Sequence, residues 1–382
     1  MSLDPAKLLR DLIACPSVTP ETAGVFDVLE TALEAAGFST TRLRFEGRGS
    51  YPVDNLFARR GTGGRRLLFA GHTDVVPPGD AALWTSDPFI AREDEGRLFG
   101  RGTADMKSGI AAFVAAASTV PAEAGTILLA ITNDEEAEAV NGTEPLLAWM
   151  AAEGHGFDFA IVGEPSSAAV LGDSIKIGRR GSFSGRVSVT GTQGHVAYPE
   201  KANNPLPVLA RLVSALDIEI DAGSAHFPAS NLEITSIDVG NAVSNLIPAV
   251  GTFRFNIRYN ELWTPETLVD WVQGRLAGVD AAGTRVDFEI SGTPSRSFLS
   301  PLSGDVDILS DAIEAVTGRR PLLSTGGGTS DARFIAPYGP VVECGLVGTS
   351  MHQVDEHIAL ADLAGLTEIY TRFMLGFFGK AA

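Results

Sequence analysis

Short apolar runs, each stopping abruptly at polar residues, punctuate the first half of the chain. Leu67–Ala70 runs into GHTD, Thr126–Thr132 into NDEE and Phe157–Val162 into GEP, and an alanine-rich stretch that reads as a helix, Ser108–Ser118, lies between the first two. This alternation predicts an α/β layer around a largely buried sheet. The polar residues fall at the C-terminal ends of the strands, where open α/β sheets place ligands. The opening MSLDPAKLLRDLIAC reads as an amphipathic helix. From about Arg180 to Ser291 the pattern changes. Ser184–Thr190 alternates like a half-buried strand, Pro205–Leu216 is helical, Asn231–Val239 and Gly251–Tyr259 are strands, Pro265–Leu276 is helical and Arg285–Ile290 is a strand. The order βαββαβ predicts a small ferredoxin-like domain. It is inserted into the α/β domain, whose pattern then resumes, giving expected boundaries of 1–179 with 292–382 and 180–291. No internal repeat or low-complexity tract interrupts this plan.

Composition narrows the partners. The 382 residues carry a net charge of −18, which argues against nucleic acid and anionic membranes, since both call for basic surface. No apolar run reaches the ~20 residues of a spanning helix, and the N-terminus has no signal-peptide core, so a cytoplasmic protein is expected. Cys15 and Cys344 are the only cysteines, both in apolar surroundings, which fits a reducing compartment rather than a disulfide framework or a thiolate zinc site.

The chemistry lies in residues that are ordinary singly. His72 follows a strand, and Asp74 would share its side if strand geometry persisted. Asp105 in GRGTADMKSG could cap a helix. Glu135 and Glu136 follow another strand, where adjacent carboxylates need solvent, protonation or a cation. Glu164 ends a third strand and could serve a turn. His352 comes late, in TSMHQVDEH. Taken together, they form a series of oxygen and imidazole donors without thiolate. Such a set suits zinc, manganese or cobalt, and is large enough for two ions that share a carboxylate.

The blocks GHTDVVPPGD, GRGTADMKSG, TNDEEAEAVNGT and VGEPS, in this order, resemble the metal motifs of the dizinc aminoacylase and carboxypeptidase family of amidohydrolases. The likeness extends over nearly the whole chain. It implies a mixed-sheet dizinc peptidase-like catalytic domain with an inserted lid that also forms a homodimer. By motif position, His72 and Glu164 would hold one zinc, Glu136 and His352 the other, and Asp105 would bridge them, with cobalt able to substitute. Glu135 would be the general base and Asp74 the partner of His72. His195 would reach the oxyanion from the partner subunit, with Asn245 close by.

The stretches LGDSIKIGRRGSFSGRVSVTGTQGHVAYPEKANNP and LSTGGGTSDARFIA resemble the desuccinylating branch more than the acetylornithine-deacetylating one. The implied reaction is hydrolysis of N-succinyl-LL-2,6-diaminopimelate. The alternatives are acetylornithine deacetylation or a general aminoacylase or dipeptidase activity. Ala137 and Ala332 stand where the family pattern has glycine. Neither is a ligand position. Lys176, Arg179, Arg180 and Arg258 are the expected cations for substrate carboxylates, and Thr325 with Gly326–Gly328 could offer backbone N–H groups.

Overall fold

The computed structural model describes residues 3–379. They divide into two compact units: one runs to Ile177 and adds Ser300–Ser324 and the chain from Ser330 on, and the other is Gly178–Leu299 with Thr325–Thr329. The border lies slightly outside 180–291 because Phe298–Leu299 pairs with Gly178–Arg179.

The first unit is built on a mixed sheet of eight strands, in the order Ser39–Gly47, Ser50–Arg60, Thr126–Thr132, Arg66–His72, Phe159–Val162, Val341–Glu343, Ser174–Lys176, Leu322–Ser324. Thr126–Thr132 and Phe159–Val162 both run parallel to Arg66–His72. Their side chains are buried on both faces, which explains the unbroken apolar runs. Helix Ser108–Ala117 is buried along its whole length, and Phe113 stacks on Phe69 with ring centroids 4.2 Å apart. Gly109 permits this approach: a Cβ there would lie 2.4 Å from the Gly163 carbonyl oxygen. Helix Leu360–Gly379 adds Tyr370, Phe373 and Phe377 to the same core.

The second unit holds a four-stranded antiparallel sheet in the order Asn231–Asp238, Val250–Tyr259, Gly181–Thr190, Arg285–Ile290. With helices Leu206–Leu216 and Pro265–Ala277 this is the ferredoxin-like βαββαβ arrangement. Burial alternates along Gly181–Thr190, as expected of a sheet with one covered face. Phe183, Val187, Phe253, Phe255 and Ile257 pack with Leu212 and Leu268 of the helices. A short ribbon pairs Gly194–His195 with Leu246–Ile247.

Candidate metal centre

Three strand ends and two loops of the first unit bring the predicted donors together. His72 closes strand Arg66–His72 and is buried. Its Nε2 lies 3.1 Å from Asp105 Oδ1 and 3.6 Å from Glu164 Oε1. The other oxygen of Asp105 faces the second histidine, with Oδ2 3.4 Å from His352 Nε2. That nitrogen is also 3.0 Å from Glu136 Oε1. Asp105 thus turns one oxygen to each imidazole, the disposition a bridging carboxylate needs. Two donor groups, His72–Asp105–Glu136 and His72–Glu135–Glu164, each have ligand atoms within 4.8 Å of one another.

The local backbone is unusual at two of these positions. Asp105 and Met106 leave helical geometry within Thr103–Lys107, at φ/ψ of −123°/105° and −127°/28°. His352 has a φ of 62°, a left-handed conformation uncommon outside glycine, although histidine adopts it more readily than most residues.

The electrostatics explain why such a cluster calls for cations. Burial, followed by the charge of Asp105, pushes the Glu164 carboxyl up to about 8. Burial and the charge of Glu164 hold Glu135 well above its ordinary range. Hydrogen bonds to Asp105 and Glu136 push His352 up to about 10. Burial opposes the charged form of His72, but its contacts with Asp105 and Glu164 outweigh that and raise it. Asp105 is likewise opposed by burial, yet the two histidines draw it below the usual carboxylate range. Four carboxylates and two imidazoles crowded this closely repel one another or trap protons unless divalent ions replace those protons. The donor set therefore fits two divalent metals.

The Asp74 side chain has a different partner from the one expected. Strand geometry stops at His72, so the ring does not meet the Asp74 side chain as an i, i+2 neighbour on a strand would. Nδ1 of His72 is 2.9 Å from the Asp74 backbone carbonyl and 3.6 Å from its Oδ1. The buried Asp74 carboxylate instead accepts the backbone N–H groups of Glu135 at 3.2 Å and Glu136 at 3.1 Å, and the Thr19 hydroxyl at 2.7 Å. It fixes the backbone from which both glutamates project.

The remaining predicted residues divide between the units. In the first, Lys176 is half-buried and donates to Ser324 Oγ at 3.4 Å. In the second, Arg179 is buried and donates to the carbonyls of Gly326 and Gly328 at 3.3 and 3.1 Å. The glycine run therefore turns carbonyls toward an arginine. The hydroxyl of Thr325 donates to the His226 carbonyl at 2.6 Å. Arg180 donates to Asn231 Oδ1 at 2.8 Å, and burial together with the charge of Arg258 pulls its guanidinium below its usual range. His195 is exposed on its ribbon, and the Asn245 carbonyl accepts the neighbouring Val196 N–H at 3.1 Å. Two further residues have no motif to mark them in the sequence. Glu356 and Arg101 are both buried, and Arg101 Nη1 lies 2.7 Å from Glu356 Oε2. The one signal for them was a second acid shortly after His352, in MHQVDEH.

A sequence profile of peptidase family M20/M25/M40 matches residues 68–376. The chain belongs to this family. Among relatives in the M20 family, a succinyl-diaminopimelate desuccinylase from Beijerinckia indica is 51% identical over 99% of this chain and 100% of its own length. A protein of the same name from Rhodospirillum centenum is 52% identical over 100% of this chain and 99% of its own. A dinuclear metal-binding M20 peptidase from Bacillus subtilis shares the fold, with a TM-score of 0.69 at 15% identity over 99% of this chain and 98% of its own. No helix among the described residues is long and apolar enough to cross a membrane.

Proposed function

We propose that the chain hydrolyses N-succinyl-LL-2,6-diaminopimelate to succinate and LL-2,6-diaminopimelate at a centre of two zinc ions, for which cobalt can substitute. The observation that carries this reading is the identity of about half of all positions, end to end, with succinyl-diaminopimelate desuccinylases. Oxygen and imidazole donors without thiolate support zinc or cobalt. His72 and Glu164 would hold one ion, Glu136 and His352 the other, with Asp105 between them. When bound, such a pair polarises a carbonyl and makes a nucleophile of water near neutral pH.

Glu135 is the base. It has no ligand duty in this assignment, and burial and the neighbouring Glu164 raise its proton affinity, so it can take a proton from the attacking water and return it to the leaving amine. Asp74 keeps it in place by accepting its N–H. Arg180 and Arg258 supply the cationic surface for a substrate carboxylate, since Arg258 opposes Asn231 on the paired strand and Arg180 binds the same asparagine. The second unit would form a cytoplasmic homodimer, in which His195 donates to the oxyanion of the partner subunit's site.

A substrate panel with added zinc or cobalt tests the reading. Succinyl-diaminopimelate should exceed acetylornithine and dipeptides by at least about a hundredfold in kcat/KM, the scale of one lost charge-assisted contact. Equal cleavage of acetylornithine would transfer the chain to the deacetylases and leave the metal hydrolase assignment standing.

A further inference from the structure

We propose that Glu356 is a positioning residue for the dinuclear centre, fixing the backbone that aims Asp105 and joining it to the loop that carries His352. The inference rests on the reading of Asp105 and His352 as ligands.

The segment that carries Asp105 leaves regular geometry, so several of its N–H groups need an acceptor from elsewhere. They find one carboxylate. Oε1 of Glu356 accepts the N–H groups of Ala104 at 2.7 Å and Asp105 at 3.1 Å. Its Oε2 accepts the Gly102 N–H at 3.1 Å and the Arg101 guanidinium at 2.7 Å. The loop is shaped like a backbone anion cradle, and the chain fills it with its own side chain. Gly102 is part of that shape: its φ is +82°, and a Cβ there would lie 2.7 Å from Val75 Cγ1.

The same short segment anchors the His352 loop. The Glu356 carbonyl accepts the Gly100 N–H at 2.9 Å, and His357–Ala359 pairs with Arg97–Phe99. Asp355 accepts the backbone N–H and hydroxyl of Thr85 at 2.9 and 2.7 Å. Arg101 lies 5.1 Å from the Trp84 ring, which completes the clamp. Glu356 thus sits where the two ligand-bearing segments meet. A bridging carboxylate must face both histidines at once, so a tilt of the Asp105 backbone spoils both contacts together. Partners of this kind, acting through the ligands, are typically worth about tenfold to a hundredfold in metal affinity.

Glu356→Asp keeps the charge beside Arg101 but draws the carboxylate back from the N–H groups. Zinc titrated into the metal-stripped variant should bind at least about tenfold more weakly than in the parent. The visible spectrum of the cobalt-loaded variant should change, and kcat for succinyl-diaminopimelate should fall with KM within about twofold. The metal arm stands without any turnover, so a failure of the proposed substrate leaves it decidable. Asp221→Asn is the comparison for a purely structural loss. Asp221 accepts Gly223 and Ser230 N–H groups and Asn260 and Trp263 side chains within the second unit, and its variant should leave metal affinity unchanged. If Glu356→Asp does not fold by circular dichroism, Arg101→Met/Glu356→Gln, which removes both buried charges, takes its place under the same criteria. A folded variant with parental zinc affinity and cobalt spectrum overturns the proposal. So does failure of both variants to fold, because Glu356 would then serve the fold rather than the centre.

Discussion

The two units keep their polar residues in opposite ways. In the first, Asp74, Asp105 and Glu164 are buried beside His72; burial and the charge of Glu164 drive Glu135, and burial and the charge of Asp105 drive Glu164, toward their protonated forms. In the second, His195 stands in solvent, Arg179 donates to the carbonyls of Gly326 and Gly328, and the hydroxyl of Thr325 donates to the His226 carbonyl. A buried cluster of like charges is unfavourable without a counter-ion, so it reveals its ligand. An exposed histidine is stable where it is and reveals nothing by itself. This contrast explains why the metal centre can be argued from one unit, whereas the role proposed for His195 rests on the proposed homodimer.

The contrast breaks first at Glu135. Glu135→Gln should retain both metals by elemental analysis and lose between about a hundredfold and ten-thousandfold in kcat. Near-parental turnover would remove Glu135 as the base. His195→Ala should also keep both metals and lose about a hundredfold to a thousandfold in kcat, the scale of one oxyanion donor. Mixing it with Glu135→Gln and reassociating the subunits should restore part of the activity. Verified mixed dimers that stay inactive would confine each site to one chain.

Smaller effects sharpen the picture. Arg258→Ala should lower kcat/KM by up to about a hundredfold without releasing metal. The pH response should come from the first unit. Before metal binds, Asp105 and Glu136 push His352 up to about 10, and burial with the charge of Asp105 pushes Glu164 up to about 8, which favours the protonated forms at neutral pH. Metal must displace those protons. Affinity should therefore rise with pH through the neutral range and fall in acid, with proton release visible by calorimetry in buffers of different ionisation enthalpy. Affinity independent of pH would contradict these environments.

Much of this was legible in the sequence because of burial. Thr126–Thr132 and Phe159–Val162 are covered on both faces, so their apolar runs are continuous and the polar residues that end them stand out. Ser39–Gly47 carries no such run: it is an edge strand with mostly exposed side chains, and its two large apolar residues, Leu43 and Phe45, are separated by Arg44. The second unit was legible from alternation along Gly181–Thr190, where one face is covered. Glu356 was not, because its partners are backbone N–H groups far back in the chain, and backbone donors leave no residue signature. The contact between His72 and Asp74 was legible as proximity only. Where the strand stops decides which atoms meet.

In the proposed hydrolytic centre of the first unit, Asp105 joins two metal ions. Metal content and succinate release, measured together on the parent and on Asp105→Ala, test it most directly. The parent should hold two ions per chain and turn over succinyl-diaminopimelate, and a folded variant should lose both. A folded Asp105→Ala protein that keeps two ions and parental turnover would contradict it.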